Sequence, residues 1–600
     1  MAPASDITTV ETADRRWTEA DELAFRDAYQ QRLDSGTLKV GRFPLRSDGP
    51  KTFDPVRGSS VYENRCISQV YEPLLQYKYL VRPFELEPLL LQEMPQTDDN
   101  ITYRFTLKKG IRFQDDPCFP DGIGRELIAS DVFYSWKRIA DRNTESKSWW
   151  LMENTILGFD EYRDIQNEAD RFDYNAPVTG MRIIDDHHFE VELIRPVSRF
   201  LWTLAMFQTA IVPREAVEFY GEKFVRHPVG TGPYLMKDGD WKVGVSITYR
   251  RNPNYHQCFY PLEHMPEDVA AGRTQAAGRR LPFLDEIHVI FFVQDQPGWL
   301  VFRSGGLDYS QVPAENYPEA FNPRTHELRR SMKDSGITGY KVRLLDFIFK
   351  GFNMDDELLG GYTPQKKALR QAICLAQDWD EVNQSFYNGL NVVYDGPIPP
   401  GMAGHPPNGA APVSFRGPDL ERVRELLEEA GYPNGRGLPV IDYYVARGRN
   451  YAEQTEMLKK QLSRVNIRIR EHLVDFSTLM QTVDRKQAPF FSFAWGSDYP
   501  DAENNLALFY GPYESPGSNH FNYQNPDYDR LYEQILSMSP SEERTEICRR
   551  MRDMVLEDCP CAGSMARTRF YVVRPHLKNM KPVEVFDNWY KYLDIDESLR

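Results

Sequence analysis

Six hundred residues correspond to two to four domains, ample chain for more than one hydrophobic core. With 72 basic against 88 acidic residues the net charge is −16, which disfavours a nucleic-acid binder, a class that carries a basic face. Mean hydropathy is −0.57, and no apolar run approaches the roughly 18 residues that a membrane-spanning helix needs.

Residues 1–36 are polar and helix-like, with Thr18 and Asp21 at capping-box spacing and Gly36 placed to stop the helix. Residues 1–16 show no basic segment followed by an apolar one, so no secretory signal is expected in them. Residues 37–45 (TLKVGRFPL) read as a first strand. In the alternating run 101–113, Tyr103, Phe105 and Leu107 share one face of a strand expected to form a hairpin near Gly110. A helix opens at Ser130, taken as its cap, and runs to Arg138. Residues 181–194 form a hairpin turning at Asp185-Asp186. His187 and His188 then lie on opposite strand faces and make no chelating pair.

Further on, 262–282 is rich in Gly, Ala, Arg and Pro and reads as an exposed loop. FLDEIHVIFFV (283–293) reads as a buried strand and as a candidate crossing between domains. Residues 419–432 form a helix with Val423, Leu426, Leu427 and Ala430 along one stripe and Gly431 as its stop. A helix over 451–463 precedes the strand pattern VNIRIREHLV. Strands alternating with helices argue an α/β class.

The seven cysteines are Cys66, Cys118, Cys258, Cys374, Cys548, Cys559 and Cys561. None has zinc spacing, the number is odd, and only Cys559-Pro-Cys561 is a close pair, so this is no disulfide scaffold. The nucleophile elbow, the P-loop, the HExxH motif and a complete GxGxxG are all missing from the sequence. No motif asks for a metal or a cofactor, and none supports an enzyme.

A series of blocks resembles the extracellular solute-binding proteins of family 5, the oligopeptide- and dipeptide-binding components of ABC importers. They include FDPVRGSS (53–60), VYEPLL (70–75), TYRFTLKKGIRF (102–113) and ASDVFYSWKRIAD (129–141). VGTGPYLMKDGDW (229–241), YRRNPNYH (249–256), GFNMDD (351–356), ALRQAICLAQD (368–378) and YNGL (387–390) follow. PIPPGMAGH (397–405), LLEEAGYPNGRGLP (426–439) and FAWGSDYPDAENNL (493–506) complete the order. The resemblance implies a clamshell of two α/β lobes of the type II periplasmic-binding-protein class, with an extra subdomain in the first lobe. Residues 1–36 stand as an N-terminal polar helical extension, and the resemblance implies a first lobe from 37–70, 180–285 and 528–600. The subdomain would be 71–179, and the second lobe 286–527. Set against the family pattern, the polar helix, the loop 262–282 and Cys559-Pro-Cys561 are departures. On the residues alone, Gly230-Thr-Gly232-Pro233-Tyr234 is a tight turn feeding a strand, and Asn252-Pro253-Asn254 a plain turn.

The segment FAWGSDYPD carries the site expectation. Peptide capture needs exposed strand N–H and C=O groups and a carboxylate for the α-ammonium. By the resemblance, Asp498 anchors the ligand's amino terminus, while Trp495, Gly496 and Ser497 supply backbone pairing and a wall. Gly496 also permits close backbone approach. Weaker candidates are Ser59, Ser60 and Val61 after FDPVRG, and Trp149 or Trp150 as an aromatic presented to ligand. Arg447 and Arg449 could hold a ligand carboxylate. The expected molecule is a monomeric, non-enzymatic peptide receptor, periplasmic or extracellular at the membrane, serving ABC permease transmembrane subunits. The alternatives are the same fold with an oligosaccharide, opine, nickel complex or haem, a hydrolase of peptides or glycosides, and a receptor docking a signalling protein.

Overall fold

A computed structural model describes residues 7–10, 17–58 and 60–600. The chain divides into two compact units. Unit 1 is 1–340 with 570–600, and unit 2 is the continuous stretch 341–569.

Unit 1 opens with helix α1 (Glu19–Ser35). The Thr18 hydroxyl accepts from the Asp21 N–H at 3.2 Å, Asp21 accepts from the Thr18 N–H at 3.0 Å, and Gly36 ends the helix at φ 68°. None of its residues is buried, so burial of an apolar face does not hold it. Ion pairs do: Arg32 grips the fully buried Asp285 through two bonds of 2.7 and 2.8 Å, and Arg280 pairs with Glu22 at 3.2 Å. Strand β1 (Val40–Leu45) follows, then helix α2 (Val61–Ile67), which Ser60 caps.

Strand β2 (Thr102–Thr106) buries Tyr103 and Phe105 as the alternation predicts. Gly110 has a turn's positive φ of 78°, but β2 makes no hairpin there. Helix α3 (Ala129–Ala140) begins one residue ahead of Ser130, and Asp131 accepts the Ile128 N–H at 3.0 Å, so the capping carboxylate displaces the expected serine cap. Strands β3 (Met181–Ile183) and β4 (His188–Glu192) form the predicted hairpin, but residues 184–187 connect them, so His187 lies in the connection and only His188 is on a strand; β2 pairs antiparallel with β4. His188 bonds Asp185 at 2.8 Å, while His187 reaches Glu126 at 3.1 Å, separate partners for the two rings.

Strands β5 (Tyr234–Leu235), β6 (Ser246–Arg251) and β7 (Glu286–Phe291) join β1 in the five-stranded main sheet of unit 1, in the order β1-β7-β6-β5, with the short strand Trp241–Lys242 pairing β6 off that path. β7 runs parallel to β1 and antiparallel to β6, so it is an interior strand of unit 1 and not a crossing between domains. Residues 286–340 therefore lie with unit 1, and 528–569 with unit 2, which differs from the lobe boundaries that the resemblance implied. The segment 262–282 is not an open loop. It holds helix Pro266–Ala270, and the fully buried Asp268 receives Arg273 at 2.8 Å and Lys581 at 2.7 Å. Its composition hid this buried ion cluster. At Gly230 and Gly232 the reason for glycine is close approach, because a Cβ there would meet the Val70 carbonyl at 2.1 and 2.6 Å.

Unit 2 is built on a six-stranded sheet. In chain order its elements include β8 (Asp346–Phe352), α4 (Pro364–Leu375), β9 (Val392–Val393), α5 (Leu420–Glu429), β10 (Ile441–Ala446), α6 (Arg449–Ser463), β11 (Ile469–Val474), α7 (Phe476–Asp484), β12 (Phe490–Gly496), α8 (Ala502–Leu506), α9 (Glu542–Asp558) and β13 (Cys561–Ala566), with further helices at Trp379–Tyr387 and Pro526–Leu536. The strand order is β9-β13-β8-β12-β10-β11. Ala368, Leu369, Ala372 and Ile373 of α4, Val423, Leu426 and Leu427 of α5, and Leu458 and Leu462 of α6 bury one face of it with Tyr443, Val445 and Phe490. The stripe predicted for α5 is the one that the core takes, and Gly431 sits at φ 86°.

Candidate functional site

The strands β10 and β12 start as a parallel pair and then part. Their ladder holds Tyr443 opposite Phe490 and Tyr444 opposite Phe491 and goes no further, although β10 continues to Ala446 and β12 to Gly496. On its other side β12 stays paired with β8 along its whole length, from Phe352↔Phe490 to Asp346↔Gly496. Among the described residues the β10-facing edge of β12 from Ser492 onward thus has no strand partner. Such an edge can accept an added extended chain. Phe493 borders it, with the exposed Phe476 of α7 at 6.2 Å between ring centroids and His520 edge-on at 5.4 Å. Since the strands are parallel, Arg447, directly after β10, and Asp498, two residues after β12, lie at the same end of the sheet. That is the end where open α/β sheets hold ligands.

Asp498 is half-buried and set by one amide. The Asn504 side chain donates to Asp498 Oδ2 at 3.1 Å, and its Oδ1 accepts from the Asp498 N–H at 3.1 Å and from Trp495 Nε1 at 2.9 Å. Asn504 comes from α8, whose start is capped by the Asp501 carboxylate receiving the Glu503 N–H at 2.9 Å. Among the described residues no Lys or Arg pairs with Asp498. Desolvation pushes its carboxyl up to about 6, with the Asn504 hydrogen bond pulling the other way. The result is a carboxylate held in position with room in its coordination for a cation.

The neighbouring expectations divide. Trp495 lies in β12, half-buried, opposite Phe347, and presents an indole wall fixed by Asn504. Ser497 does not offer a free donor: its N–H goes to the Leu345 carbonyl at 2.9 Å and its hydroxyl to Leu345 O and Asn505 at 2.9 and 2.6 Å. The pairing surface is therefore the edge that begins upstream of it. Gly496 is exposed, and a Cβ there would meet nothing nearer than Asp346 Oδ1 at 3.7 Å, so close approach within the unit does not explain the glycine. Arg447 is exposed and only 3.9 Å from Asp475, a loose pair that leaves its guanidinium accessible. The side chain of Arg449 and the whole of Ser59 lie outside the described residues.

In unit 1, Ser60 is a helix cap. Its hydroxyl accepts from the Glu63 N–H at 3.2 Å, and Glu63 accepts from the Ser60 N–H at 3.1 Å. Val61, the first residue of α2, is half exposed. Trp149 carries the Arg163 guanidinium 4.4 Å over its ring and meets Phe159 edge-on at 5.3 Å, while Trp150 is the more exposed of the two. Sequence reasoning missed Asn504 and Phe476. Asn504 stood inside the quoted block six residues after Asp498, but only the turn 497–501 bends it back onto that carboxylate.

The sequence profile of the bacterial extracellular solute-binding proteins, family 5 Middle, matches residues 85–517. This chain belongs to that family. Among relatives, haem-binding protein A of Haemophilus influenzae is 21% identical over 542 residues, 88% of this chain and 87% of its own. The dipeptide-binding protein of Escherichia coli is 22% identical over 539 residues, 88% of this chain and 90% of its own. Among solved structures, the periplasmic binding protein DppA from Helicobacter pylori in complex with the peptide STSA superposes with a TM-score of 0.69 at 18% identity, covering 94% of this chain and 99% of that one. The chain thus has the two-lobed α/β fold of the family 5 periplasmic binding proteins. Among the described residues no helix is long and apolar enough to cross a membrane.

Proposed function

We propose that this chain is the solute-capturing component of an ABC importer, and that its solute is a peptide taken up intact, outside the cytoplasm, for delivery to a membrane permease. The reading has the protein act as a monomer without performing chemistry on the solute. The observation that carries it is Asp498: a positioned, partly desolvated carboxylate without a cation, at the end of an unpaired strand edge. An extended peptide on that edge would exchange main-chain hydrogen bonds with β12. Its α-ammonium would meet Asp498, and the aromatic wall of Trp495, Phe493 and Phe476 would take side chains without sharp selection. Arg447 is the group available for a free carboxylate. The two named peptide binders among the relatives and solved structures support peptide over sugar.

The test is calorimetric titration of the ligand-free protein with di- to pentapeptides, free and N-acetylated. Removing one partner of an enclosed charge pair costs about 2–5 kcal/mol, so acetylation and Asp498→Asn should each weaken binding roughly 30-fold to several thousandfold. The two losses should not add, because they delete the same contact. Full affinity for acetylated peptides, or release of a sugar or haem from the denatured purified protein, would overturn the peptide reading.

A further inference from the structure

The most informative feature outside the candidate site is a pair of sulfurs inside unit 2. Cys374, on α4, and Cys559, just after α9, lie 3.1 Å apart, Sγ to Sγ, with both side chains buried. Non-bonded carbons already prefer about 3.5–4.0 Å, and sulfur is larger, so this separation is closer than two thiols settle by packing alone. A covalent S–S bond is about 2.05 Å, which asks each sulfur to move only about half an ångström.

The surroundings hold the pair in place. Arg370, fully buried one turn before Cys374, points its guanidinium at carbonyls and not at a carboxylate. It donates to Cys559 O at 3.0 Å, Asp558 O at 2.7 Å, Leu359 O at 2.7 Å and Gly361 O at 2.8 Å. The turn that carries Cys559 is thereby fastened to the helix that carries Cys374. Cys559 itself stands at φ 55°, a left-handed position at a helix end where glycine is the favoured residue. Its side chain is kept against that preference, and the Cys374 sulfur is what it meets. The Cys561 carbonyl oxygen lies 3.7 Å from both sulfurs.

We propose that Cys374 and Cys559 form a disulfide that ties α4 to the end of α9, leaving the other five cysteines as thiols. The proposal shares the extracellular placement of the functional reading, since that setting supplies the oxidant. The two thiols lose two protons and two electrons, one Sγ–Sγ bond forms, and a disulfide of the glutathione or oxidoreductase class is cleaved to two thiols. Burial disfavours the Cys374 thiolate in the folded protein, and the thiolate is the attacking species. The bond must then form while the chain is still open, and folding afterwards shields it from reductants.

The full chain would be unfolded, refolded with oxidised and reduced glutathione, then alkylated in denaturant without reductant and digested. Supplying the oxidant separates this test from the question of compartment. The expected product is one cross-linked peptide pair joining Cys374 to Cys559 and five alkylated cysteines, and before alkylation the intact mass should lie about 2 Da below that of the fully reduced chain. Seven alkylated cysteines, or any other pairing, would overturn the proposal. As a second readout, dithiothreitol in denaturant should lower the unfolding midpoint of the parent protein and leave that of Cys559→Ala unmoved. Dithiothreitol should not cleave the bond in the folded protein. Equal sensitivity of the two proteins would also refute it.

Discussion

A carboxylate whose folded-state pKa is about 6 makes opposing demands on stability and binding. Fully protonated below its ordinary value near 3.8, Asp498 costs the ligand-free fold nothing. As pH rises through 3.8 toward about 6, ionisation in the folded state lags behind that in the unfolded state, and stability is lost until both are ionised. Asp498→Asn should therefore melt with the parent protein near pH 4 and above it at pH 7, by about 1–2 kcal/mol after allowance for solvent screening. Thermal melts at the two pH values check the sign. Binding runs the other way, because the ionised form is the one that receives an ammonium. Peptide affinity should hold above pH 6 and fall roughly tenfold for each unit below it. Asn504→Leu removes the hydrogen bond that pulls the carboxyl down, so it should move this binding profile to higher pH as well as weaken affinity at pH 7. An unshifted profile would reduce Asn504 to packing.

At the scale of elements, caps and ion pairs assign roles that residue type alone left open. Ser60 was a candidate ligand contact because of its place after FDPVRG, but it closes a reciprocal capping box with Glu63. Ser60→Ala should cost about 1 kcal/mol of stability and leave peptide affinity within twofold, measured by denaturant melts beside calorimetry. Local rules made α1, α5 and the existence of the 181–194 hairpin legible in the sequence, since capping residues, a 3.6-residue stripe and a short polar turn act within a few positions, although the connection spans 184–187 and not the two residues expected. Partnership was not legible. The alternation in 101–107 gave the buried face of β2, yet its partner β4 lies some eighty residues on, and the nearer Gly110 turn suggested a hairpin. For the same reason Asp498 could be singled out, while the parting of β10 from β12, which frees the edge beside it, depends on pairing between distant segments.

At the scale of the whole molecule, the division into units follows from how the chain is threaded. Unit 2 is a single continuous stretch with its own six-stranded sheet and its own core, whereas unit 1 is assembled from two stretches that flank it. The strands Thr338–Arg343 and Thr568–Val573, at the two crossings, are neighbours in one three-stranded sheet, and the Leu344 N–H donates to the Arg567 carbonyl at 2.9 Å. The chain thus leaves and returns at adjacent points, the arrangement that tolerates excision or insertion. Residues 341–569 expressed alone should fold cooperatively, because their hydrophobic core is supplied from within the stretch. The excised chain should show one unfolding transition with coincident circular dichroism and tryptophan fluorescence. Asp498 and the open edge of β12 both lie in this stretch. If they supply the main-chain pairing and the ammonium contact, the fragment should retain weak peptide binding that N-acetylation of the peptide abolishes. A folded fragment indifferent to acetylation would place the amino-terminal contact elsewhere in the full chain and count against Asp498 as its anchor.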